Sequence, residues 1–300
     1  MDSFLPLITI VTPTMNREAT ILDAVQSVRA QTYRNIQHII VDGGSTDRTL
    51  EILEPFTRLE VISEPDKGIY DALNKGIRLS SGDIIVLLNS DDLLPPNALE
   101  AVVECFRTHP EADIVSGNSV LFSMEGEGQV HVIREYKEHE DRQLGLEGVL
   151  LGNPNLNARC FKRHVIDKEG LFDTRFLTGS DREYLVRLVC AGINNIELNQ
   201  TLYLYRSHSG SATFNPQGSG RLERMQEYMR IAEHVLSEYE FTSKDKKTIN
   251  KWYMRCSHKA FLVAIRSGEV FRAGCLAFRG VCESLSWPVE LLRMLYRKSY

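Results

Sequence analysis

Read for its apolar rhythm, the first third of the chain alternates between two periods. Short runs dense in aliphatic and β-branched residues have the length of buried strands: LITIVTPT (7–14), IQHIIVDGG (36–44), LEVISEP (59–65) and DIIVLLNS (83–90). Between them, apolar residues fall three and four apart: EATILDAVQSVRAQ (18–31), STDRTLEILEPF (45–56), GIYDALNKGIRLSS (68–81) and PPNALEAVVECF (95–106). Repeated strand–helix units of this length predict an α/β fold with a mostly parallel sheet. Near-continuous apolar strands are what helices on both faces demand.

The rhythm loosens after residue 110. ADIVSGNSVLF (112–122) reads as a strand, and QVHVIREY (129–136) has the same character. EYKEHEDRQ (135–143) is a charge run, read as a solvated loop. SDREYLVRLVCAG (180–192) is a helix stopped by Gly192, and NIELNQTLYLYR (195–206) is a strand. A Gly/Ser/Pro/Asn-rich stretch, Ser207–Gly220, separates these from a helical remainder. There Phe271, Cys275, Phe278 and Cys282 step at helical spacing, and Trp287-Pro288 opens a last short helix. The organisation expected is an α/β domain over 1–215, with a nucleotide-binding half (1–110) and an acceptor half (111–215). A helical extension follows over 216–300.

Composition is that of an ordinary globular chain, with 43% hydrophobic and 25% charged residues among 300. The net charge of -5 gives no reason to expect nucleic-acid binding. Its distribution is uneven: residues 243–300 hold 12 Lys+Arg against 4 Asp+Glu. A basic tail on an acidic body predicts an anionic partner such as a membrane surface, against the plainer reading of a solvated basic face. MDSFLPLITIVTPT has no basic leader, and no run reaches the ~18 apolar residues of a spanning helix, so a cytoplasmic protein is expected. The six cysteines form no CxxC pair and read as reduced core thiols.

The chemistry gathers at the strand ends. In an open α/β sheet, ligands bind beyond the carboxyl ends of the strands. Here those ends carry Thr12-Pro13-Thr14, Asp42-Gly43-Gly44, Glu64-Pro65-Asp66-Lys67-Gly68 and Asn89-Ser90-Asp91-Asp92. Any one acid could be a helix cap or an Asx turn. At LLNSDD (87–92), Asp91 or Asp92 could cap a helix opened by Pro95-Pro96, or one of them could bind a metal. Four polar ends on one rim are better explained by a shared polar ligand. No GxxxxGK[ST] loop is present to cradle phosphate, which leaves a divalent cation on carboxylate oxygens as the alternative.

Taken together and in order, VTPTMNRE, VDGGSTDRT, EPDKGIYDALNKG, LLNSDD, GSDREYLVRL and YRSHSGSAT resemble the family 2 glycosyltransferases. The resemblance covers roughly residues 7–215. It implies a GT-A fold, a nucleotide-sugar donor (a UDP-sugar favoured), Mn2+ or Mg2+, and inversion at the anomeric carbon. The acceptor implied is a glycan or lipid-linked hydroxyl in bacterial cell-surface polysaccharide assembly, at the inner face of the cytoplasmic membrane. Carried over to this chain, Thr12, Thr14 and Glu18 meet the nucleotide, Asp42 the base, and Asp66 and Lys67 flank the pocket. Asp91 is the metal-binding acid, with His208 able to join it. Asn89 faces the ribose or metal, and Asp181 is the general base. Asp92 is left as a cap or a supporting partner.

Three departures stand out: Asn at 89 leaves one charge fewer near a metal, Ser180 stands where the family often has Glu, and Asn153-Pro154-Asn155 is unusual for the acceptor segment. Two rival readings remain. A nucleotidyltransferase would want a basic glycine-rich loop after the first strand, which VTPTMNRE is not. A non-catalytic nucleotide-sugar binder would not need Asp91 and Asp181.

Overall fold

The structure is a computed structural model that describes residues 5–125, 129–152, 154–208 and 220–296. The chain divides into two compact units, Met1–Asn215 and Pro216–Tyr300.

The first unit opens with the expected alternation. Strands β1 (Ile8–Thr14), β2 (Ile36–Asp42), β3 (Leu59–Ser63) and β4 (Ile84–Leu87) are each followed by a helix: α1 (Ile21–Arg29), α2 (Thr49–Leu53), α3 (Ile69–Leu79) and α4 (Ala98–Thr108). All seven residues of β1 and all four of β4 are buried, which is why their sequences are nearly unbroken apolar runs. One sheet face packs Ile8, Ile10, Ile84 and Val86 against Val28 of α1 and Val102 and Phe106 of α4. The other carries Ile39 and Val41 against Ala72 of α3.

The remaining elements are β5 (Ile114–Glu125), β6 (Gln129–Tyr136), α5 (His139–Arg142), α6 (Leu146–Leu151), β7 (Arg159–Lys162), α7 (Arg163–Glu169), α8 (Ser180–Cys190) and β8 (Asn195–Arg206). The sheet runs β3-β2-β1-β4-β7-β5-β6, with β8 paired to β5. β1, β2, β3 and β4 are mutually parallel, as are β5 and β8, whereas β7 is antiparallel to both β4 and β5. The expected parallel sheet is therefore parallel in its first half and mixed beyond β4.

Chain order reverses at β1, since β2 and β3 lie on one side of it and β4 on the other. Such a switch point leaves a crevice at the carboxyl ends of the two central strands.

Two readings need correction. The charge run at 135–143 is not simply a solvated loop: it contains α5, and Arg142 tucks inward to bond Asn118 Oδ1 and to pair with Glu197 at 3.5 Å. The cysteines are not all core thiols, since Cys190, Cys275 and Cys282 are exposed.

The second unit consists of α9 (Arg221–Glu238), α10 (Ser243–Arg266), α11 (Val270–Glu283) and α12 (Trp287–Tyr296). Leu222, Ala260, Ala264, Ala273 and Leu276 form its core. Thr242 caps α10 by accepting from the Asp245 N–H at 3.2 Å. Among the described residues, no helix is long and apolar enough to cross a membrane.

Candidate active site

A cleft of roughly 260 Å³ opens at the switch point between β1 and β4. Thr14 and Pro13 from the end of β1 line one wall, Asn89 to Asp92 beyond β4 the floor, Asp66 and Gly68 the entrance to α3, and Tyr205 and Arg206 of β8 the far side.

The segment after β4 is held by β8. Leu93 and Leu204 form a two-bond antiparallel bridge. Asp92 is buried, and neither it nor Asp91 caps α4: that helix begins after Asn97, which makes no side-chain cap. Instead one Asp92 oxygen accepts from the Tyr203 hydroxyl (2.7 Å) and Asn89 Nδ2 (3.1 Å). The other accepts from the Arg206 backbone N–H (2.8 Å). The Tyr203 hydroxyl in turn accepts from the Asn89 N–H and from Asn157 Nδ2. Burial, then the neighbouring Asp91 carboxylate, pushes Asp92 up to about 7, against the pull of its three donors. The Arg206 guanidinium donates to the Asp91 carbonyl (2.9 Å) and to Asp23 (2.7 Å).

This frame points Asp91 outward, where its Oδ2 lies 2.9 Å from His208 Nε2. The two residues are 117 apart in the chain. Hard carboxylate oxygen and imidazole nitrogen are both competent ligands of Mn2+ or Mg2+. Their 2.9 Å separation is that of a hydrogen bond, so a cation held by both would replace the proton they share. They are two ligands only, since no group of three or more His, Cys, Asp or Glu among the described residues could hold a metal. A cation there would need a substrate's oxygens to complete its shell.

Asp181 sits in the first turn of α8 without acting as its cap, which falls on Gly179. Its Oδ1 accepts from the Arg182 N–H at 2.8 Å, and the Tyr70 hydroxyl bonds its carboxyl as well. Burial raises its pKa above the ordinary carboxylate value. Tyr70 is held by α3, and its ring lies 5.5 Å from that of Phe172. The Phe172 backbone is fixed by Asn74, which both donates to its C=O (2.8 Å) and accepts from its N–H (3.0 Å). The buried hydroxyl of Tyr205 is pushed well up by burial, with the negative charges of Asp92, Asp181 and Asp91 adding to it. Tyr205 lines the cleft and feels the charges of both Asp91 and Asp181, although Asp181 does not itself line the cleft.

The other expected residues divide into two groups. Thr14, Asp66 and Asn89 line the cleft beside Asp91. Thr14 Oγ1 is buried with no partner among the described residues. Asp66 accepts from the Gly68 N–H (2.8 Å), and its carboxylate lies so close to Gly43 that a Cβ there would come within 2.4 Å. Glycine at 43 is what lets the two loops meet.

Thr12, Glu18, Asp42 and Lys67 are not among the lining residues. Thr12 is buried and shares its hydroxyl with His38 Nε2 at 3.0 Å. Asp42 accepts from the Gly44 and Ser45 N–H groups (3.1 and 3.0 Å), from the Ser63 hydroxyl (2.7 Å) and from the Ser45 hydroxyl. Glu18 clasps the loop after β2 through the Arg48 N–H (3.0 Å). Lys67 is exposed, and its backbone N–H donates to Asp71 (3.0 Å). Asn153 lies outside the described residues, as do Ser209 to Thr213 of the YRSHSGSAT motif.

Sequence reasoning missed Tyr70, Asn157, Tyr203, Tyr205 and Arg206. The one available signal was the alternation in TLYLYR, which puts both tyrosines on one face of β8.

Comparison with known proteins bears on this geometry. The model of the family described as Glycosyl transferase family 2 matches residues 9–171, more than half of the chain. Glycosyltransferase GlyG of Streptococcus pneumoniae serotype 4 is 29% identical over 219 residues, which cover 68% of this chain and 72% of that protein. S. aureus TarS 1-349 in complex with UDP-GlcNAc superposes with a TM-score of 0.64 at 15% identity, over 85% of this chain and 72% of that one. Of another TarS structure the chain spans 43%. Mannosyltransferase PcManGT from Pyrobaculum calidifontis, in complex with GDP-Man and Mn2+, gives 0.61 at 18% identity, over 98% of this chain and 85% of that one. At such identities the structures speak for the fold, which is GT-A. With its fold and more than half of its length matched in this way, the chain belongs to glycosyl transferase family 2.

Proposed function

We propose that this protein transfers a sugar from a nucleotide-sugar donor, with inversion at the anomeric carbon, to a hydroxyl of a glycan or lipid-linked acceptor. The observation that carries the reading is the meeting of Asp91, which lines the cleft, with His208 at 2.9 Å. UDP-GlcNAc and GDP-Man in the related structures support a nucleoside-diphosphate sugar as donor, and Mn2+ in one of them supports a divalent cation. A hexose from a UDP-sugar, an acceptor in cell-surface polysaccharide assembly and a cytoplasmic setting follow from the family resemblance.

Asp66 and Asp91 line the cleft with the buried Asp92, against Arg17 and Arg206, and a cation beside Asp91 would add to the countercharge that a diphosphate needs there. Asp91 and His208 would hold that cation, which when bound offsets the negative charge growing on the leaving diphosphate. Thr14 and the neutral Asn89 line the cleft where the donor would lie. Arg17, also in the wall, adds a positive charge. Asp181, oriented by the Tyr70 hydroxyl, accepts the proton of the acceptor hydroxyl as that oxygen attacks the anomeric carbon. Charge develops toward an oxocarbenium ion, as in glycosyl transfer generally. The raised pKa of Asp181 makes it a stronger base than an ordinary aspartate.

The test is nucleoside diphosphate release from a panel of UDP-, GDP- and dTDP-sugars with Mn2+. One donor should be hydrolysed slowly even without acceptor, and EDTA should stop the release. A donor that raises the Tm without any release, with or without candidate acceptors, would make the protein a binder rather than a transferase. Proton NMR of the product reads inversion directly: an α-linked donor should give a β-linked sugar.

A further inference from the structure

The last two helices wear their large apolar side chains on the outside. In α11, Ala273, Leu276 and Gly280 face the body of the unit, while Phe271 is 86% exposed and Phe278 74% exposed. Cys275 and Cys282, on the same four-and-three stripe, are exposed too. The stripe continues beyond the helix: Leu285 is 89% exposed, and Val289, Leu292 and Leu295 of α12, also exposed, follow at steps of four, three and three. A globular helix buries its large apolar residues and exposes its small or polar ones. Here Phe271 and Phe278 break that rule, while Leu276 keeps it.

The exposure is built in rather than a loose end. The Trp287 indole is buried against Gly280, where a Cβ would come within 2.2 Å of it. Its Nε1 donates to the Ser257 hydroxyl at 3.0 Å, and His258 Nε2 lies 3.0 Å from its carbonyl oxygen. These contacts pin the start of α12 to α10 and leave the outer faces of α11 and α12 as one apolar surface.

Charge says what covers it. Arg272, Arg279 and Arg293 directly follow Phe271, Phe278 and Leu292 of the stripe, and Arg266 ends α10. Arg272 pairs with Glu223 and Glu269, and Arg279 with Glu233, whereas Arg266 and Arg293 have no carboxylate partner among the described residues. Residues 243–300 carry 12 Lys+Arg against 4 Asp+Glu. An apolar stripe with large side chains, edged by arginine and set in a basic segment, is the pattern of a helix lying in a bilayer interface. At 14 residues, α11 is too short to span and long enough to lie flat.

We infer that the outer faces of α11 and α12 dock on an anionic lipid bilayer, with Phe271, Phe278, Leu285 and Leu292 entering the interface and the basic residues meeting the headgroups. The inference sharpens the expectation of a basic tail by assigning the contact to an apolar wedge. It does not rest on the sugar-transfer reading, because docking is measured without donor.

The experiment is co-sedimentation of the full chain with phosphatidylcholine vesicles made with and without phosphatidylglycerol. Wild type should pellet with the anionic vesicles, and high salt should weaken that binding without abolishing it. Phe271→Ser with Phe278→Ser should lower the partition coefficient at least about tenfold, since each phenyl group entering the interface adds to binding. Phe271→Leu with Phe278→Leu should keep most of it. Because these side chains are exposed, circular dichroism should report an unchanged fold in all variants. Wild type remaining in the supernatant would overturn the inference, as would full binding by the serine variant. So would a wild-type oligomer that the serine variant dissociates without any vesicle binding, which would make the surface a contact between copies.

Discussion

Two strand ends in the same sheet carry buried aspartates and use them in opposite ways. At the end of β2, Asp42 turns back on its own loop: its bonds go to Gly44, Ser45 and the next strand's Ser63. At the end of β4, Asp92 reaches across to Tyr203 and Arg206, more than a hundred residues later, and its neighbour Asp91 reaches His208. An acid whose lone pairs are filled by its own turn is shaping backbone. An acid presented outward by a second, buried acid is available for chemistry. The second pattern needs both halves of the unit, and for that reason the candidate site lies where they meet.

That contrast predicts a ranking of effects. The largest belongs to Asp181→Asn, which should lower kcat by about 10²–10⁴ with donor affinity near normal, as loss of a general base does. The same group sets the acid side of the pH profile. Asp181 works ionised, and its pKa is raised, so kcat should fall as pH drops through that raised value, above the ~4 of an ordinary aspartate. If the variant keeps the wild-type acid limb, another group is the base. Next comes Asp91→Ala, expected to lower kcat/KM by about 10²-fold or more and to erase the response to Mn2+ and EDTA, with the Tm little changed. A wild-type metal titration in that variant would place the cation elsewhere.

Asp92→Ala should act on stability instead. It strands three donors in a buried place and should cost about 3 kcal/mol by urea unfolding at pH 5. The sign of the pH effect follows from its pKa of about 7, raised above the unfolded value of 3.8. Between these values the folded state holds a proton that the unfolded state has lost, so this group's contribution to stability falls as pH rises from about 4 to about 7. The gap between wild type and variant should therefore narrow over that range. Asp42→Ala should cost about 2 kcal/mol through its orphaned loop donors. With Asp42 filled by its own turn, donor binding should weaken only as far as the loop loosens. A base-specific loss of affinity in a stably folded variant would move Asp42 into the chemical class.

The sequence made the first half of the sheet legible for a physical reason: strands covered on both faces must be apolar throughout, and the helices between them show a clean period. It hid β7, because RCFK has two basic residues in four, one of them the buried Arg159. Its Nη atoms donate to Arg142 O and Gln143 O, partners that no local pattern announces, while its buried Nε has none among the described residues. The acids of the site were legible by type and spacing, but their division of labour was not. Thr12 and Thr14 share one face of β1, yet one hydroxyl is bonded to His38 and the other, at the strand's end, is buried without a partner among the described residues. Alternation gives the face, while depth along the strand decides the role. The helix-cap reading of LLNSDD failed because the carboxylates' partners come from β8 and from His208, which only the folded chain brings near.

The smallest expected effect tests the contrast where it is weakest. Glu18 is exposed, and the loop after β1 meets the loop after β2 through several bonds at once. Besides Glu18 Oε2 to the Arg48 N–H, the Asn16 N–H donates to the Ser45 hydroxyl (2.8 Å) and Asn16 Oδ1 accepts from the Thr46 N–H (2.9 Å). The Arg17 N–H also donates to the Thr49 hydroxyl (2.8 Å). Glu18→Gln keeps an acceptor for Arg48 and removes only a charge in water, so the clasp should survive with a change of about 0.5 kcal/mol or less. If Glu18 only joins loops, donor affinity measured by calorimetry should follow that small change. If it also meets the nucleotide, affinity should fall well beyond it, since losing a charged hydrogen bond to a ligand costs roughly 1.5–3 kcal/mol. The ratio of the two changes then tells a loop-shaping acid from a ligand-binding one at the single position where exposure leaves room for both.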